Sequence, residues 1–484
     1  MKTKEYKNFI GGSFRESSTG NRFRSCNPAD ISQLVGVYQS SGSVDVQDAI
    51  DAALFASEEW RKTPAPKRGE ILFRAARIVE ERAEELAVLL TREVGKTLPE
   101  SRGELHRTVR IFEYFGGEGA RLLGQVIPSE RESVFAMTKR RQLGIVTLIT
   151  PWNFPAAIPA WKLTPALVCG NCVVLKPSSL APALSMELCE IVREAGIPDG
   201  VFTIITGSGS EVGSALVENP SVSAVSFTGS AETGAFIRAL SRERNIRLQL
   251  EMGGSNPTIV LADADLEHAA SATVNAAFMS AGQKCTATSR AIVEKSVLGK
   301  FTEILVRKAE ALRVGDPLEP DITMGPVISE EQLSSNLRYI EIAKADGARL
   351  LTGGERLAGG TYDKGYYLSP TIFGDVSPDM RIAKEEVFGP VMCIISAEGF
   401  EDAIRIANGV RYGLSATLCS KDMAKIMRYL DRIEAGVIMV NLPSAGVEYQ
   451  VPFGGVKESS SGLREQGPVA IDFYSELQSV YIGY

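Results

Sequence analysis

The segment CVVLKPSSLAPALSMELCEIVREAGIPDGVFTIITG, at residues 172–207, decides the fold class. It begins with one short apolar run, CVVLKP, and ends with another, VFTIITG, and each run stops at a turn-forming residue. Between them, APALSMELCEIVREAG spaces its apolar residues by three and four, as an amphipathic helix does. A strand, a helix and a second strand in this order predict two parallel strands in one sheet.

The same alternation continues on both sides of this segment. GIVTLIT at 144–150, AVSFTG at 224–229 and RLQLEMGG at 247–254 are predicted strands, and SAETGAFIRALSRE is a predicted helix between the last two. The pattern predicts an α/β fold, in which a parallel sheet carries helices on both faces. A nucleotide is the usual ligand at the carboxyl edge of such a sheet.

The pattern of polar and apolar residues differs between the remaining parts of the chain. Apolar spacing is helical over 44–123, and the more polar stretch 124–142 predicts a hairpin or arm. A second α/β set runs from about 257 to 446. The tail at 472–484, DFYSELQSVYIGY, is alternating and rich in aromatic residues, which predicts an edge strand.

Composition excludes several classes of protein. With 52 basic and 59 acidic side chains, the 484-residue chain has a net charge of −7, so we expect no nucleic-acid partner. Seven thinly spread cysteines predict a reducing compartment, and Cys169 and Cys172 are interpreted as buried small side chains. The N-terminal residues lack the apolar core of a signal peptide, and Pro residues interrupt the longest apolar stretches. We therefore expect a cytoplasmic protein that does not bind membranes.

One cysteine stands apart from the others. The helical run DLEHAASATVNAAFMSAG ends at Gly282, and Cys285 follows on a turn among Gln283, Lys284 and Thr286. Polar neighbours and a nearby cation favour the thiolate and lower the pKa of a thiol. Cys285 is therefore a candidate nucleophile, with an ordinary structural cysteine as the alternative.

A candidate base lies upstream of this cysteine. Glu251 ends the apolar strand RLQLE and is followed by Met252, Gly253 and Gly254. A carboxylate at a strand end, beside glycines that permit close approach, is suited to general-base chemistry. A helix cap or a surface charge is the alternative interpretation.

Histidine is too scarce for the common hydrolytic sites. The chain has only His106 and His268, both in charge-rich helical patterns. A Ser-His-Asp or Cys-His hydrolase needs one of them in its site, and a histidine-ligated metal would have to use these two. We therefore expect a carboxylate base and no metal.

The chain resembles the aldehyde dehydrogenase superfamily over essentially its whole length. Seven short motifs occur in the order and spacing of that family: PWNFP (151–155), KPS (176–178), FTGS (227–230), EMGG (251–254), GQKC (282–285), EEVFGP (385–390) and PFGG (452–455). Each motif alone is weak, and the ordered set is very specific.

The resemblance implies a role for each catalytic position. Cys285 attacks the aldehyde carbon, and the oxyanion is held by the side-chain amide of Asn153 and the backbone N–H of Cys285. Hydride transfer to the nicotinamide leaves a thioester. Glu251 activates the water that hydrolyses the thioester to the acid.

The resemblance also implies a nicotinamide dinucleotide site. Glu386 binds the nicotinamide ribose, and Phe388 packs near the ring. Lys176 lies at the carboxyl edge of its strand, and several other positions lie on strand-to-helix turns that suit a pyrophosphate. The remaining cofactor positions are Trp152, Ser178, Ser179, Gly207, Gly229, Ser230 and Gly234.

Ser179 departs from the family pattern. Members that prefer NAD commonly carry Glu there, which binds the adenosine ribose hydroxyls and repels a 2′-phosphate. A neutral Ser179 beside Lys176 removes that repulsion. This favours NADP, or the use of both NADP and NAD.

The resemblance divides the chain into three parts. It implies a Rossmann-type cofactor domain at 1–123 and 144–253 and an α/β catalytic domain at 254–446. A small β arm at 124–143, with the tail at 447–484, would join subunits into a homodimer or homotetramer.

The substrate is the least determined feature. Arg107 and Arg110 stand three apart in a helix that lines the mouth of the substrate tunnel in the fold this chain resembles. Facing the tunnel, Arg107 would bind a carboxylate on a short acidic semialdehyde, and Phe154 and Trp161 would also contact the substrate. The resemblance across the chain, including the segments TPAPKRG, GQKCTATSR and EAGVIMVN, implies 2,5-dioxopentanoate first, then succinate semialdehyde or a broad range of aldehydes. A solvated Arg107 is the alternative.

Two other functions are compatible with the motifs. A coenzyme A-acylating dehydrogenase would pass the thioester to a thiol, and members of that branch usually lack the glutamate found here as Glu251. A catalytically silent binding protein on the same fold would have no need of intact Asn153, Glu251 and Cys285.

Overall fold

The computed structural model describes residues 4–484 and builds them around two large sheets. The strands are β1 (Lys4–Glu5), β2 (Asn8–Ile10), β3 (Ser13–Arg15), β4 (Arg22–Asn27), β5 (Asp30–Gln39), β6 (Val126–Ile127), β7 (Val134–Gln142), β8 (Ile145–Ile149), β9 (Cys172–Lys176), β10 (Phe202–Ile204), β11 (Val222–Thr228), β12 (Arg247–Glu251), β13 (Asn256–Val260), β14 (Thr288–Glu294), β15 (Arg349–Thr352), β16 (Thr371–Gly374), β17 (Val391–Ala397), β18 (Tyr412–Gly413), β19 (Ser415–Cys419), β20 (Val437–Val440), β21 (Val456–Lys457), β22 (Ser460–Ser461) and β23 (Ser475–Gly483).

The helices lie between these strands. They are α1 (Ser43–Lys62), α2 (Ala65–Glu81), α3 (Ala83–Val94), α4 (Leu98–Glu118), α5 (Ala157–Val168), α6 (Ala183–Glu194), α7 (Ser214–Glu218), α8 (Ala231–Ser241), α9 (Leu266–Phe278), α10 (Leu298–Glu310), α11 (Glu330–Ala345), α12 (Arg381–Lys384), α13 (Phe400–Asn408), α14 (Met423–Arg432) and α15 (Ala470–Tyr474).

The first large sheet has eight strands in the order β22-β12-β11-β8-β9-β10-β2-β3. The five strands from β12 to β10 are parallel, which confirms the sheet predicted from residues 144–254. Because parallel strands end at the same edge, this order brings the ends of β12, β8 and β9 together. Those ends carry Glu251, the PWNFP segment and Lys176.

The second large sheet has seven strands in the order β15-β16-β17-β14-β13-β19-β20, all parallel except β15. Each large sheet has its own apolar core: one cluster includes Val146, Val174 and Leu250, and the other includes Ile259, Ile292 and Ile394. The cysteine turn lies between α9 and β14 of the second sheet.

The predicted hairpin and tail form one small sheet. β7 pairs antiparallel with β6 on one side and with β23 on the other, from Ser475 opposite Gln142 to Gly483 opposite Val134. The order β23-β7-β6 leaves β23 at an edge, as its alternating sequence predicts.

Two predicted boundaries differ from the structure. The sequence extends the helix before Cys285 to Gly282, but α9 ends at Phe278 because the next residues leave helical geometry. The sequence-based division also assigns all of residues 447–484 to the tail that accompanies the β arm. In the structure β22 pairs with β12, and residues such as Phe473 and Tyr474 pack in the first core.

The position of α4 matters because it carries Arg107. The carboxylate of Glu100 accepts the backbone N–H of Thr97 at 2.9 Å, which caps the start of α4. Gly69 lets α2 cross α4 closely, since a Cβ there would lie 2.3 Å from the carbonyl oxygen of Gly116. Within residues 4–484, no helix is both long enough and apolar enough to span a bilayer.

Candidate active site

A cavity of about 360 Å³ collects residues from both halves of the chain around Cys285. Arg107, Phe154 and Trp161, predicted from the sequence to contact substrate, all line it. Arg110 does not line it and forms an exposed ion pair with Glu113 at 2.7 Å. The other lining residues include Lys96, Glu100, Glu104, Ile158, Asn275, Met279, Lys284, Thr286, Val447 and Phe453.

A strained turn presents Cys285 to this cavity. Three successive residues after α9 have positive φ: Ser280 at 55°, Ala281 at 53° and Gly282 at 69°. At Gly282 only glycine fits, because a Cβ would lie 2.1 Å from the carbonyl oxygen of Gly389. Backbone strain of this kind persists only where surrounding contacts impose it. One such contact is the hydrogen bond from the Ser280 N–H to the Glu100 carboxylate, at 2.6 Å.

The thiol of Cys285 is not acidified by its surroundings, contrary to the sequence-based expectation. Burial, together with the nearby carboxylates of Glu386, Glu251 and Glu465, raises its pKa to about 12. The adjacent Lys284 does not reverse this shift, and burial lowers the pKa of its own ammonium to about 8. The free protein therefore holds Cys285 as a neutral thiol.

Amide groups surround the backbone of this turn. The Nδ2 of Asn153 donates to the carbonyl of Gln283 at 3.0 Å, which leaves its second proton free. The Nδ2 of Asn256 donates to the carbonyl of Cys285 at 2.8 Å. Within residues 4–484 the backbone N–H of Cys285 has no protein acceptor. The side-chain amide of Asn153 and the backbone N–H of Cys285 thus each keep an N–H without a protein acceptor.

Glu251 is buried at the end of β12, with 2% of its surface exposed. The hydroxyl of Ser460 donates to its Oε2 at 2.5 Å. Gly454 lies against the other oxygen, since a Cβ there would stand 2.8 Å from Oε1. Burial and the charge of Glu465 raise the pKa of Glu251 well above its usual value, although Ser460 opposes this. A carboxylate of raised basicity is suited to accept a proton from water.

Near Glu251 lies a buried ion pair that was not predicted from the sequence. Lys162 and Glu465 are in contact with almost no exposed surface, and the indole N–H of Trp161 donates to the second oxygen of Glu465 at 2.9 Å. The hydroxyl of Ser226 also lies near Glu465. Lys162 is the lone charged residue in the apolar run AAIPAWKLTPALV. Its position could have predicted the ion pair, because a buried charge requires a partner.

Three of the predicted glycines lie where the protein's own side chains pack closely against the backbone. A Cβ at Gly207 would lie 2.6 Å from Val212, one at Gly229 2.5 Å from Phe227, and one at Gly234 2.4 Å from Met252. Nearby, a cavity of about 460 Å³ lies between the Gly209–Gly213 turn and α8. The hydroxyl of Ser230 caps α8 by accepting the Thr233 N–H at 3.2 Å. These features fit the adenosine and pyrophosphate of a dinucleotide.

The carboxylate of Glu386, predicted to bind the nicotinamide ribose, is near enough to Cys285 to raise the pKa of its thiol. The Oε1 of Glu386 accepts the Gly254 N–H at 2.9 Å, and burial raises the pKa of Glu386 to about 7. The rings of Trp152 and Phe388 meet edge to face at 5.5 Å, and Phe388 has a positive φ of 55°.

Lys176, which is predicted to lie at the cofactor site, is a buried cation. Burial lowers the pKa of Lys176 to about 8, and its Nζ donates to the carbonyl of Pro177 at 3.0 Å. The hydroxyl of Ser179 donates to the carbonyl of Gly207 at 2.9 Å. The Ser178 hydroxyl accepts the Leu180 N–H at 3.2 Å. Within residues 4–484 no carboxylate forms an ion pair with Lys176.

Curated relatives match the chain over nearly its full length. It is 46% identical to the alpha-ketoglutaric semialdehyde dehydrogenase of Bacillus subtilis, covering 99% of this chain and 98% of that protein. It is 42% identical to the 2,5-dioxopentanoate dehydrogenase of Saccharolobus solfataricus, covering 96% and 97%.

Solved structures agree with this match. A 3,6-anhydro-L-galactose dehydrogenase in complex with NADP superposes with a TM-score of 0.96 at 35% identity, covering 99% of this chain and 100% of that one. A betaine aldehyde dehydrogenase from Staphylococcus aureus, in complex with NAD⁺ and with a cysteine modified by BME, has the same TM-score at 34% identity, covering 99% and 96%.

The family model described as "Aldehyde dehydrogenase family" matches residues 14–480. Together with the cavity around Cys285, these matches establish a nicotinamide-dependent oxidoreductase that acts on small aldehydes. The chain belongs to the aldehyde dehydrogenase family.

Proposed function

We propose that this enzyme oxidises 2,5-dioxopentanoate to 2-oxoglutarate, with Arg107 as the anchor for the substrate carboxylate. The observation that carries the proposal is an arginine without a carboxylate partner in the cavity that contains Cys285. The names of the two curated relatives, which refer to this same semialdehyde, support it.

The charges around the cavity favour an anionic substrate. Lys96 is neutralised by Glu104 at 2.6 Å, whereas neither Arg107 nor Lys284 forms an ion pair within residues 4–484. The Nζ of Lys284 contacts only the carbonyl of Asn275, at 3.3 Å. Partly desolvated cations without counter-charges stabilise a ligand that supplies one. A neutral aldehyde would leave both cations without an ion pair.

The catalytic residues then act in sequence on the aldehyde carbon. The Cys285 thiol gives up its proton to water, and its sulfur attacks the carbon while the free N–H groups of Asn153 and Cys285 hold the oxyanion. A bound nicotinamide would supply the acceptor for the hydride, and loss of that hydride leaves the carbon as a thioester of Cys285. Glu251 takes a proton from water, and the resulting attack on the thioester releases the acid and restores the thiol.

Replacing Arg107 tests the substrate assignment. Arg107→Met should lower kcat/KM for 2,5-dioxopentanoate by about 10- to 150-fold, the effect of losing a hydrogen bond to a charged group. Pentanal, which has the same carbon chain without the acidic end, should react almost as it does with the wild type. Both are measured by following reduced nicotinamide.

Arg110→Met is the matched control for this substitution. It removes an exposed arginine one turn further along α4 and outside the cavity, so neither substrate should respond. Equal losses with both aldehydes in Arg107→Met, or no loss with either, would show that Arg107 does not anchor a carboxylate. The same comparison with succinate semialdehyde tests the next candidate substrate.

For the cofactor, we propose that NADP is used at least as efficiently as NAD. Lys176 and Ser179 provide a cation and a hydroxyl at the adenosine end, without the carboxylate that would repel a 2′-phosphate. Ser179→Glu should shift the ratio of kcat/KM values toward NAD, whereas Ser179→Ala should shift it little because it adds no charge. A wild-type enzyme strongly specific for NAD would contradict this proposal.

We also propose that the β6-β7-β23 arm joins subunits into a homodimer or homotetramer. Its strands expose an unusual number of large apolar side chains: Val126, Ile127, Phe135, Leu477, Tyr481 and Ile482. Residues 447–474 are better assigned to the cofactor domain than to this arm, because they contribute to its sheet and core. The catalytic domain would keep the bounds 254–446. The mass measured by light scattering tests the oligomeric state.

A further inference from the structure

We infer that Gln466 is a positioning residue that holds the Arg107 guanidinium ready for the substrate carboxylate without cancelling its charge. This inference rests on the proposed function of Arg107. Gln466 does not line the cavity itself and would act on the substrate only through Arg107.

The contact between the two side chains is specific. The Oε1 of Gln466 accepts the Nη2–H of Arg107 at 3.2 Å, and this is the one protein acceptor that the guanidinium has within residues 4–484. Gln466 has no exposed surface, and its Nε2 has no acceptor there. The Gln466 side chain therefore provides a hydrogen-bond acceptor for Arg107 while its own amide N–H groups stay unpaired. A buried, unpaired amide donor destabilises the fold.

The orientation of the amide follows from chemistry. A guanidinium has five N–H donors and no acceptor. If the Gln466 amide were turned over, its Nε2 donors would face the Nη2 donors of Arg107. The oxygen must therefore point at the guanidinium.

The backbone at this position is constrained as well. Gln466 has a positive φ of 58°, which is unfavourable for a residue other than glycine. Its neighbour Glu465 is fixed by the ion pair with Lys162 and by the indole N–H of Trp161. The ring of Trp161 lies 5.7 Å from the Arg107 guanidinium. Arg107 is thus held by an aromatic face and, at one nitrogen, by an amide oxygen.

A neutral acceptor has an advantage over a carboxylate here. An Asp or Glu beside Arg107 would form an ion pair with it, and the substrate carboxylate would then have to compete for the same charge. The Gln466 oxygen restrains one nitrogen of the guanidinium and leaves the positive charge uncompensated. The identity of residue 466 therefore determines how well the pocket discriminates acidic from neutral aldehydes.

Two variants test this role with 2,5-dioxopentanoate and pentanal. Gln466→Glu keeps the shape and adds a competing charge, so KM for the acidic aldehyde should rise by about 10- to 100-fold. Gln466→Met keeps the length and removes the acceptor, so KM should rise by about 3- to 10-fold. In both, kcat and the kinetics with pentanal should stay close to wild type. Gln47→Met, an exposed substitution on α1, serves as the control.

A double-mutant comparison separates positioning from a general structural role. In an Arg107→Met background, Gln466→Met should have no further effect on KM for the acidic aldehyde, because the side chain it positions is gone. A further rise of the same size, or equal losses with pentanal, would overturn the inference. So would an unchanged KM in both single variants.

The two proposals fail in different ways. If Arg107→Met leaves the acidic aldehyde unaffected, the proposed substrate anchor is wrong, and the role of Gln466 falls with it. If Arg107→Met behaves as expected and Gln466→Glu does not raise KM, only the positioning role is wrong. Thermal melting of each variant shows that a changed KM does not come from partial unfolding.

Discussion

Cys285→Ala should abolish aldehyde oxidation, with a loss on the order of 10⁴-fold or more in kcat. No other cysteine lines the cavity, and the remaining six lie elsewhere in residues 4–484, so no second thiol can replace the nucleophile. Cofactor binding should persist, because Gly207, Gly229, Gly234 and Lys176 do not line the cavity that contains the thiol. Steady-state turnover and titration with NADP, followed by fluorescence, measure the two effects.

Cys26→Ala is a suitable control for this substitution. Cys26 is exposed on β4, outside the cavity, and its loss should leave turnover unchanged. Residual turnover of more than a small fraction in Cys285→Ala would rule out the thioester route. A parallel loss of cofactor binding would indicate that the substitution had disturbed the strained turn at 280–282.

Glu251→Gln should stall the enzyme after the first turnover, with steady-state kcat reduced by about 10²- to 10⁴-fold. The amide keeps the shape of the side chain but cannot take a proton from water. One equivalent of reduced cofactor per active site should form in a burst, followed by slow release. Rapid mixing with absorbance detection resolves the burst from the steady state.

The raised pKa of Glu251 adds a pH dependence to this step. Only the ionised carboxylate accepts a proton, and burial beside Glu465 shifts its ionisation to higher pH. Thioester hydrolysis should therefore quicken as pH rises through the pKa of Glu251, and this acid limb should vanish in Glu251→Gln.

Glu243→Gln, on the exposed turn after α8, provides the matched control and should behave like wild type. Absence of both burst and steady turnover in Glu251→Gln would instead place Glu251 in the activation of Cys285. That alternative has a physical basis, since the pKa of the Cys285 thiol is about 12 and attack requires loss of its proton.

Much of the fold follows from local pattern. Short β-branched runs between amphipathic stretches are sufficient to predict the parallel strands β8 to β12, and the alternating tail predicts β23. The N-terminal sheet of β1, β4 and β5 was not predicted. Its strands carry a less regular mixture of polar and apolar residues, so periodicity gives no clear signal there.

The sequence by itself determined the family and the motifs, and it supplied the candidates for the nucleophile, the base and the amide. These depend on residue type and spacing along the chain, which a sequence states directly. Only the tertiary structure decided which charges are paired. Lys96 is neutralised by Glu104, whereas Arg107, eleven residues further along the chain, is not.

The electrostatic state of the site also required the tertiary structure. The sequence places Lys284 beside Cys285, which predicts an acidified thiol, but burial and three carboxylates from distant segments reverse the direction of the shift. Glu465 and Gln466 likewise acquire their roles from contacts with Lys162 and Arg107, more than 300 positions away in the chain. Burial and long-range Coulomb interactions depend on three-dimensional distance, and separation along the chain does not determine that distance.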